Sequence, residues 1–223
     1  MVAAVTLTPA PAPAPARPPP VPPSRGPPAP GAPAVAAAAK MGAVSGDPPI
    51  VFEAVAPGQA ADPRLREELL DTWVRVTDAG GAVGFTAPAD RDEIAATLDS
   101  ALRRVGRGQD TLGVLRRGAG GPAVGMGILV VSQSALRRHW RTVLRVMVTP
   151  ELQGTGAGRA LLDGLHGLAR ELGTEHLVLS VRGGTGTERF YERFGYEQIG
   201  RHPAAIRLAP GDDRDELVLY KRL

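Results

Sequence analysis

An apolar run, Val146-Met147-Val148, passes through Thr149-Pro150-Glu151-Leu152 into Gln153-Gly154-Thr155-Gly156-Ala157-Gly158-Arg159-Ala160. Beyond it Leu161, Leu162, Leu165, Leu168 and Leu172 recur at helical spacing and form the expected buried side of a helix. A strand that breaks into a glycine-dense turn and reopens as a helix restricts the chain to layered α/β folds. Glycine lets the backbone come close to a ligand. The first N–H groups of the helix lack partners, and its dipole favours an anion there. The segment therefore reads as a cradle for a pyrophosphate.

Spacing separates the phosphate sites that share this logic. A nucleotide-triphosphatase loop needs Gly-Lys-Ser/Thr, whereas Gly158 is followed by Arg159-Ala160. A dinucleotide fingerprint needs Gly-x-Gly-x-x-Gly, and these glycines stand at 154, 156 and 158. The acidic residue expected about 20 positions on would be Glu175, which precedes its strand instead of ending it.

Proline sets the organisation of the rest. Fifteen of the 22 prolines precede Ile50, and residues 9–39 are almost entirely Pro, Ala and Gly. Such a stretch has too few large apolar side chains to offset the entropy of ordering it. Residues 1–49 are expected to form a disordered tail with polyproline-II character, and residues 50–223 one domain. Within the tail Arg17, Pro20 and Pro23 fit a polyproline ligand, as do Pro20, Pro23 and Arg25 in reverse, although a Pro/Ala tract with scattered arginine produces such matches by chance. Two lysines against 24 arginines suggest GC-rich coding, under which Met41 is a candidate start.

Arg17, Arg25 and Lys40 against Asp47 place +2 of the net +3 in the tail, so no basic face for nucleic acid is expected. The absence of cysteine excludes disulfides, thiolate zinc sites and a covalent Cys mechanism. No two of the four histidines have helical ligand spacing, and no metal is expected. No apolar run has membrane-spanning length and no secretory signal is visible, so the expectation is a cytoplasmic protein.

Along the domain, Ile50–Val55 reads as a strand. Asp62-Pro63 opens a helix whose apolar face is Leu65, Leu69, Trp73 and Val76. Asp90 with Glu93 has capping-box spacing for a second, faced by Ile94, Leu98, Leu102 and Val105. Thr111–Arg117 and Ala123–Gln133 read as a hairpin across Gly118–Pro122, and Thr142–Thr149 as the strand before the glycine turn. A strand at His176–Val181, a short helix at Thr187–Phe194 and two terminal strands complete a mixed α/β layer. Thr185 and Glu188 have capping-box spacing for the short helix.

Gln153, Gly156 and Gly158 form Gln-x-x-Gly-x-Gly, and Phe190-Tyr191-Glu192-Arg193-Phe194-Gly195-Tyr196 follows at a matching distance. Together they resemble the acetyl-CoA motif and the late Tyr-Glu-x-x-Gly-Phe/Tyr segment of the GCN5-related N-acetyltransferase (GNAT) superfamily. The resemblance implies an α/β fold: a mixed, mainly antiparallel sheet of six to seven strands flanked by about four helices. It implies an acetyl-CoA-dependent enzyme that acetylates a primary amine of a small molecule, as monomer or homodimer. A protein N-terminus as acceptor, or a non-catalytic acyl-CoA-binding module, are the alternatives. By the same resemblance Val146, Met147 and Val148 pair with the pantetheine arm. Gln153, Gly154, Thr155, Gly156, Ala157, Gly158, Arg159 and Ala160 hold the pyrophosphate, and Tyr191 is the general acid for the leaving thiolate.

The general base is not evident. The tabtoxin-resistance-type subgroup shows His-Arg opening the strand before the turn and Asp-Thr ending the next. Here His139 matches, Trp140 replaces the arginine, and Ser180-Val181 stands where Asp-Thr is expected. A water chain with His139 or Glu53 is the remaining route. With no cysteine, direct attack in a ternary complex follows. Trp73, Phe85, Trp140 and a loop at His202–Asp213 are candidates to line the acceptor site, with Asp212-Asp213 available to a cationic amine.

Overall fold

The computed structural model describes residues 48–223. The tail expected over residues 1–49, its polyproline matches and Met41 fall outside that range, except for Pro48 and Pro49.

Local chemistry places the first helices where the sequence signals them. Asp62 caps α1 (Pro63–Asp78), its carboxylate accepting from the Arg64 N–H at 2.9 Å. The Asp90 carboxylate accepts from the N–H groups of Asp92 and Glu93, both at 3.0 Å, and starts α2 (Arg91–Gly106). All eight apolar residues expected on these two faces are buried.

Seven strands form one sheet: β1 (Ile50–Val55), β2 (Thr111–Arg117), β3 (Ala123–Val131), β4 (Trp140–Val148), β5 (His176–Arg182), β6 (Glu197–Ala209) and β7 (Asp212–Arg222). Their spatial order is β1-β2-β3-β4-β5-β7-β6. Only β4 and β5 are parallel; α3 (Ala157–Glu171) makes the crossover between them. The short α4 (Thr187–Glu192) follows β5. Two apolar clusters sandwich the sheet, one from α1 and α2 and one from α3. No helix of the described residues is long and apolar enough to cross a membrane.

Several expectations are corrected. On α3 Leu172 is 41% exposed, while His166 and Ala169 are buried with Leu161, Leu162 and Leu165. The helix lies on the sheet along a face that Leu172, its C-cap, has already rotated away from. β4 starts at Trp140, two residues early, because that end finds β5 as a partner. The stretch His202–Asp213 is no loop. It is the turn end of a β-hairpin in which β6 pairs with β7 across Pro210-Gly211, with Gly211 at φ 83°.

Two irregularities shape the middle of the sheet. β4 and β5 pair only from Trp140–Thr142 to His176–Val178, then part. Met126 faces Met147 but Ile128 faces Leu144, so Arg145 and Val146 together stand opposite Gly127. This is a β-bulge, with Arg145 at φ 56°. It slips the side-chain alternation by one: Val143 packs with the α3 cluster and Met147 with the α1–α2 cluster.

Candidate active site

The parting of β4 from β5 opens a cavity of about 690 Å³. Val143–Val148 form one wall and Leu179–Arg182 the other. Gln153, Gly154, Gly156, Gly158 and Arg159 close one end, together with Phe190, Tyr191 and Phe194. Val76 and the Gly81–Val83 loop after α1 close the other. The volume lies in the range that takes a small-molecule ligand.

Of the residues singled out in sequence, Val146, Met147, Val148, Gln153, Gly154, Gly156, Gly158, Arg159 and Tyr191 come together at this cavity. Thr155, Ala157 and Ala160 are beside it without lining it: Thr155 is exposed, Ala157 is buried in the α3 cluster and Ala160 packs against that cluster. Gly156 is the N-cap of α3 at φ 95°, a conformation that glycine takes without strain. The first helical bond runs from the Ala160 N–H to the Gly156 carbonyl at 3.0 Å. The N–H groups of Ala157, Gly158 and Arg159 precede it and have no helical acceptor. A Cβ added to Gly158 would stand 3.6 Å from the Phe190 ring, an ordinary contact.

Tyr191 is 7% exposed and its ring meets Phe190 and Tyr196 edge-on, at 5.2 and 5.5 Å between centroids. Burial pushes its phenol up to about 12, so it holds its proton throughout the physiological range. Behind it Tyr196 is hydrogen-bonded to the buried His166, Oη to Nε2 at 3.0 Å. Burial, with Lys221 and Arg170 adding repulsion, lowers His166 to about 4 and keeps its ring neutral. The expected Thr185–Glu188 capping box is absent: Gly186 at φ 74° is the N-cap of α4, and Thr185 Oγ1 instead accepts from the Thr187 N–H at 3.3 Å.

The proton acceptors considered in sequence lie elsewhere. His139 is exposed and sits edge-on to His176 at 5.2 Å, where β4 and β5 still pair. Glu53 accepts from Arg116 at 2.7 Å, on β1, three strands from β4 in the sheet order. Among the described residues that line the cavity there is no aspartate or glutamate. Sequence reasoning missed a carboxylate one contact away: Ser180, on the β5 wall, donates to Glu216 Oε1 of β7 at 2.7 Å. The register that pairs Ser180 with Val218 and Arg182 with Glu216 makes this contact, and no local pattern encodes it.

The aromatic candidates for an acceptor site do not line the cavity. Trp73 is fully buried with its indole N–H on the Val83 carbonyl at 3.1 Å, and Phe85 packs edge-on against it. Trp140 stacks on His176 at the opposite end of β4. Asp212 and Asp213 are taken by Arg214 and Arg207, at 2.5 and 2.7 Å.

The seven-stranded mixed sheet, split over the glycine turn of a crossover helix, is the α/β fold of the GNAT type. Residues 96–205 match the family model described as an acetyltransferase (GNAT) domain. An acetyltransferase of the GNAT family from Streptococcus pneumoniae superposes with a TM-score of 0.60 at 16% identity, over 78% of this chain and 99% of that one. Ribosomal-protein-alanine N-acetyltransferase from Brucella melitensis gives 0.59 at 19%, over 78% and 99%. YncA from Salmonella typhimurium, solved with its cofactor acetyl-CoA, gives 0.59 at 17%, over 78% and 94%. Residues 96–205 therefore carry a GNAT acetyltransferase domain match, within a fold shared with these GNAT structures.

Proposed function

We propose that this chain transfers the acetyl group of acetyl-CoA to the primary amine of a small molecule by direct attack within a ternary complex. The observation that carries the reading is one cavity that joins an unpaired helix start at a glycine turn to a buried, protonated phenol. The N–H groups of Ala157, Gly158 and Arg159 suit a pyrophosphate, with the Arg159 guanidinium on the same rim. Beyond Thr142 the β4 edge facing β5 is unpaired, and an extended pantetheine arm fits there as an added strand beside Val146, Met147 and Val148.

In the reaction the amine nitrogen bonds to the acetyl carbon and the carbon–sulfur bond breaks. The leaving sulfur takes the Tyr191 proton. The amine proton passes, directly or through one water, to Ser180 as that hydroxyl gives its own to Glu216. A phenol raised to about 12 is a weaker acid than a thiol of about 8.5. It therefore enters each turnover holding its proton and yields it only to the full thiolate, an uphill transfer that reprotonation of the phenolate from solvent completes. A second reading, a non-catalytic acyl-CoA-binding module, is favoured by the absence of a carboxylate from the described cavity lining.

Calorimetry of acetyl-CoA with the wild type and Gly158→Glu tests the placement. Gly158 has room for a Cβ and lacks the positive φ of Gly156, so the variant leaves the fold intact and sets a carboxylate against the pyrophosphate. Saturable wild-type binding weakened at least about tenfold is expected. Binding indifferent to the substitution would return the glycine turn to a helix cap alone, and binding without transfer to any amine would select the second reading.

A further inference from the structure

Four arginines line the cavity, and the described lining holds no carboxylate to neutralise them. They divide between its ends. Arg159, whose guanidinium lies 5.0 Å from the Phe194 ring centroid, and Arg193 flank the glycine turn, where phosphate charge is expected. Arg145 and Arg182 stand at the other end, and nothing in the phosphate reading uses them. Arg145 Nη1 donates to the Val83 carbonyl at 2.9 Å, and Arg182 Nη2 to the Gly80 carbonyl at 3.3 Å. Both side chains are therefore fastened to the short loop that follows α1.

The placement of Arg145 is built into the fold. The bulge gives it φ 56° and turns it to the α1 side, where its guanidinium lies over the Trp73 ring at 5.1 Å. A Cβ at Gly84 would stand 2.1 Å from its Nη1, so glycine there makes room for the guanidinium. Arg145 is half-buried, and burial alone moves its titration, downward; no carboxylate pairs with it among the described residues. A half-buried guanidinium held by one carbonyl and one ring keeps most of its donors for another acceptor. Buried cations are ordinarily paired. A planar fork with spare donors matches a carboxylate better than any neutral group.

We infer that the acceptor is an amine that also carries a carboxylate, of α-amino-acid type, and that Arg145 and Arg182 hold that carboxylate at the loop after α1. The inference rests on the acetyltransferase reading above and names its substrate class. Fixing the carboxylate at this end would leave the amine to reach the Ser180 wall, and it discriminates against polyamines, which the unneutralised Arg145 and Arg182 repel.

The test uses the full chain with saturating acetyl-CoA and thiol release as the readout. The substrates are the α-amino acids, their α-carboxamides and spermidine; acetyl-CoA binding is followed separately by calorimetry. At least one amino acid is expected to exceed its own amide by about 30-fold or more in kcat/KM, the scale of losing one partner of a buried charge pair. Arg145→Gln should bring acid and amide within a few-fold of each other, and Arg145→Lys should restore part of the preference. Arg182→Gln gives an independent reading if the first variant folds poorly. Spermidine or the amides turning over as well as the acids would overturn the inference and leave the acetyltransferase reading standing. So would acetyl-CoA binding without turnover of any carboxylate in the panel. Failure to bind acetyl-CoA overturns both.

Discussion

Acid should destabilise the fold through the aromatic stack behind Tyr191. His166 is 4% exposed, joined to the Tyr196 hydroxyl at 3.0 Å and 6.1 Å from the Phe194 ring. Its ordinary value of 6.5 falls to about 4 in the fold. The folded state thus prefers the neutral ring, and the unfolded chain binds the proton first. The stability from this preference is complete above pH 6.5 and is lost as pH falls through 4. A displacement of about 2.5 units corresponds to about 3 kcal/mol in all, of which linkage places about 2 kcal/mol already lost at pH 5. That is a large fraction of a domain's net stability. Urea unfolding of the wild type and His166→Gln at pH 7.5, 6 and 5 isolates the contribution, since glutamine retains a polar partner for Tyr196 and does not titrate. The wild type should lose about 2 kcal/mol more than the variant between pH 7.5 and 5. Parallel curves for the two proteins would refute the argument, because carboxylates common to both would then account for the whole acid response.

Tyr191→Phe should lower kcat by about 10²-fold or more and leave the acetyl-CoA Kd within a few-fold. Because the phenol loses its proton only near pH 12, wild-type kcat should show no alkaline fall below pH 10 that the phenylalanine removes; such a fall would contradict the burial argument. Glu216→Gln should reduce kcat/KM about 10-fold or more at pH 7, with the deficit shrinking as rising pH deprotonates the amine unaided; a deficit constant with pH would argue against the Ser180–Glu216 route. Gly164→Ala on α3 sets helix propensity, a gain of about 1 kcal/mol, against a Cβ 2.3 Å from Phe52 Cγ. An atom next to that ring's backbone cannot swing aside, so overpacking prevails and denaturant melts should show a net loss on the order of 1–2 kcal/mol.

The sequence determined what depends on neighbours in the chain. Caps at Asp62 and Asp90, the faces of α1 and α2, the β2–β3 hairpin and the strand–turn–helix around Gly156 follow from period and local hydrogen bonding, and they reached the structure nearly intact. The same local chemistry drew the glycine turn into view, whereas Tyr191 came from the resemblance of its short segment to the GNAT family's late motif. Elements whose limits depend on a distant partner were less legible: Leu172 continues the helical spacing, yet α3 has rotated off the sheet by then. The residues 202–213 look like a polar loop until β7 supplies hydrogen bonds to β6.

The remaining partners that give the cavity its chemical character came from tertiary structure. Ser180 meets Glu216 only through the register of β5 on β7. Arg145 looks like one more polar residue of a strand, and only a bulge formed against β3 turns it over Trp73. The cavity itself exists because two parallel strands pair for three residues and then diverge, each held by a different neighbour, β3 on one side and β7 on the other. Local patterns report the forces within a segment. The separation of β4 from β5 balances forces from four strands and two cores, and no single segment carries that information.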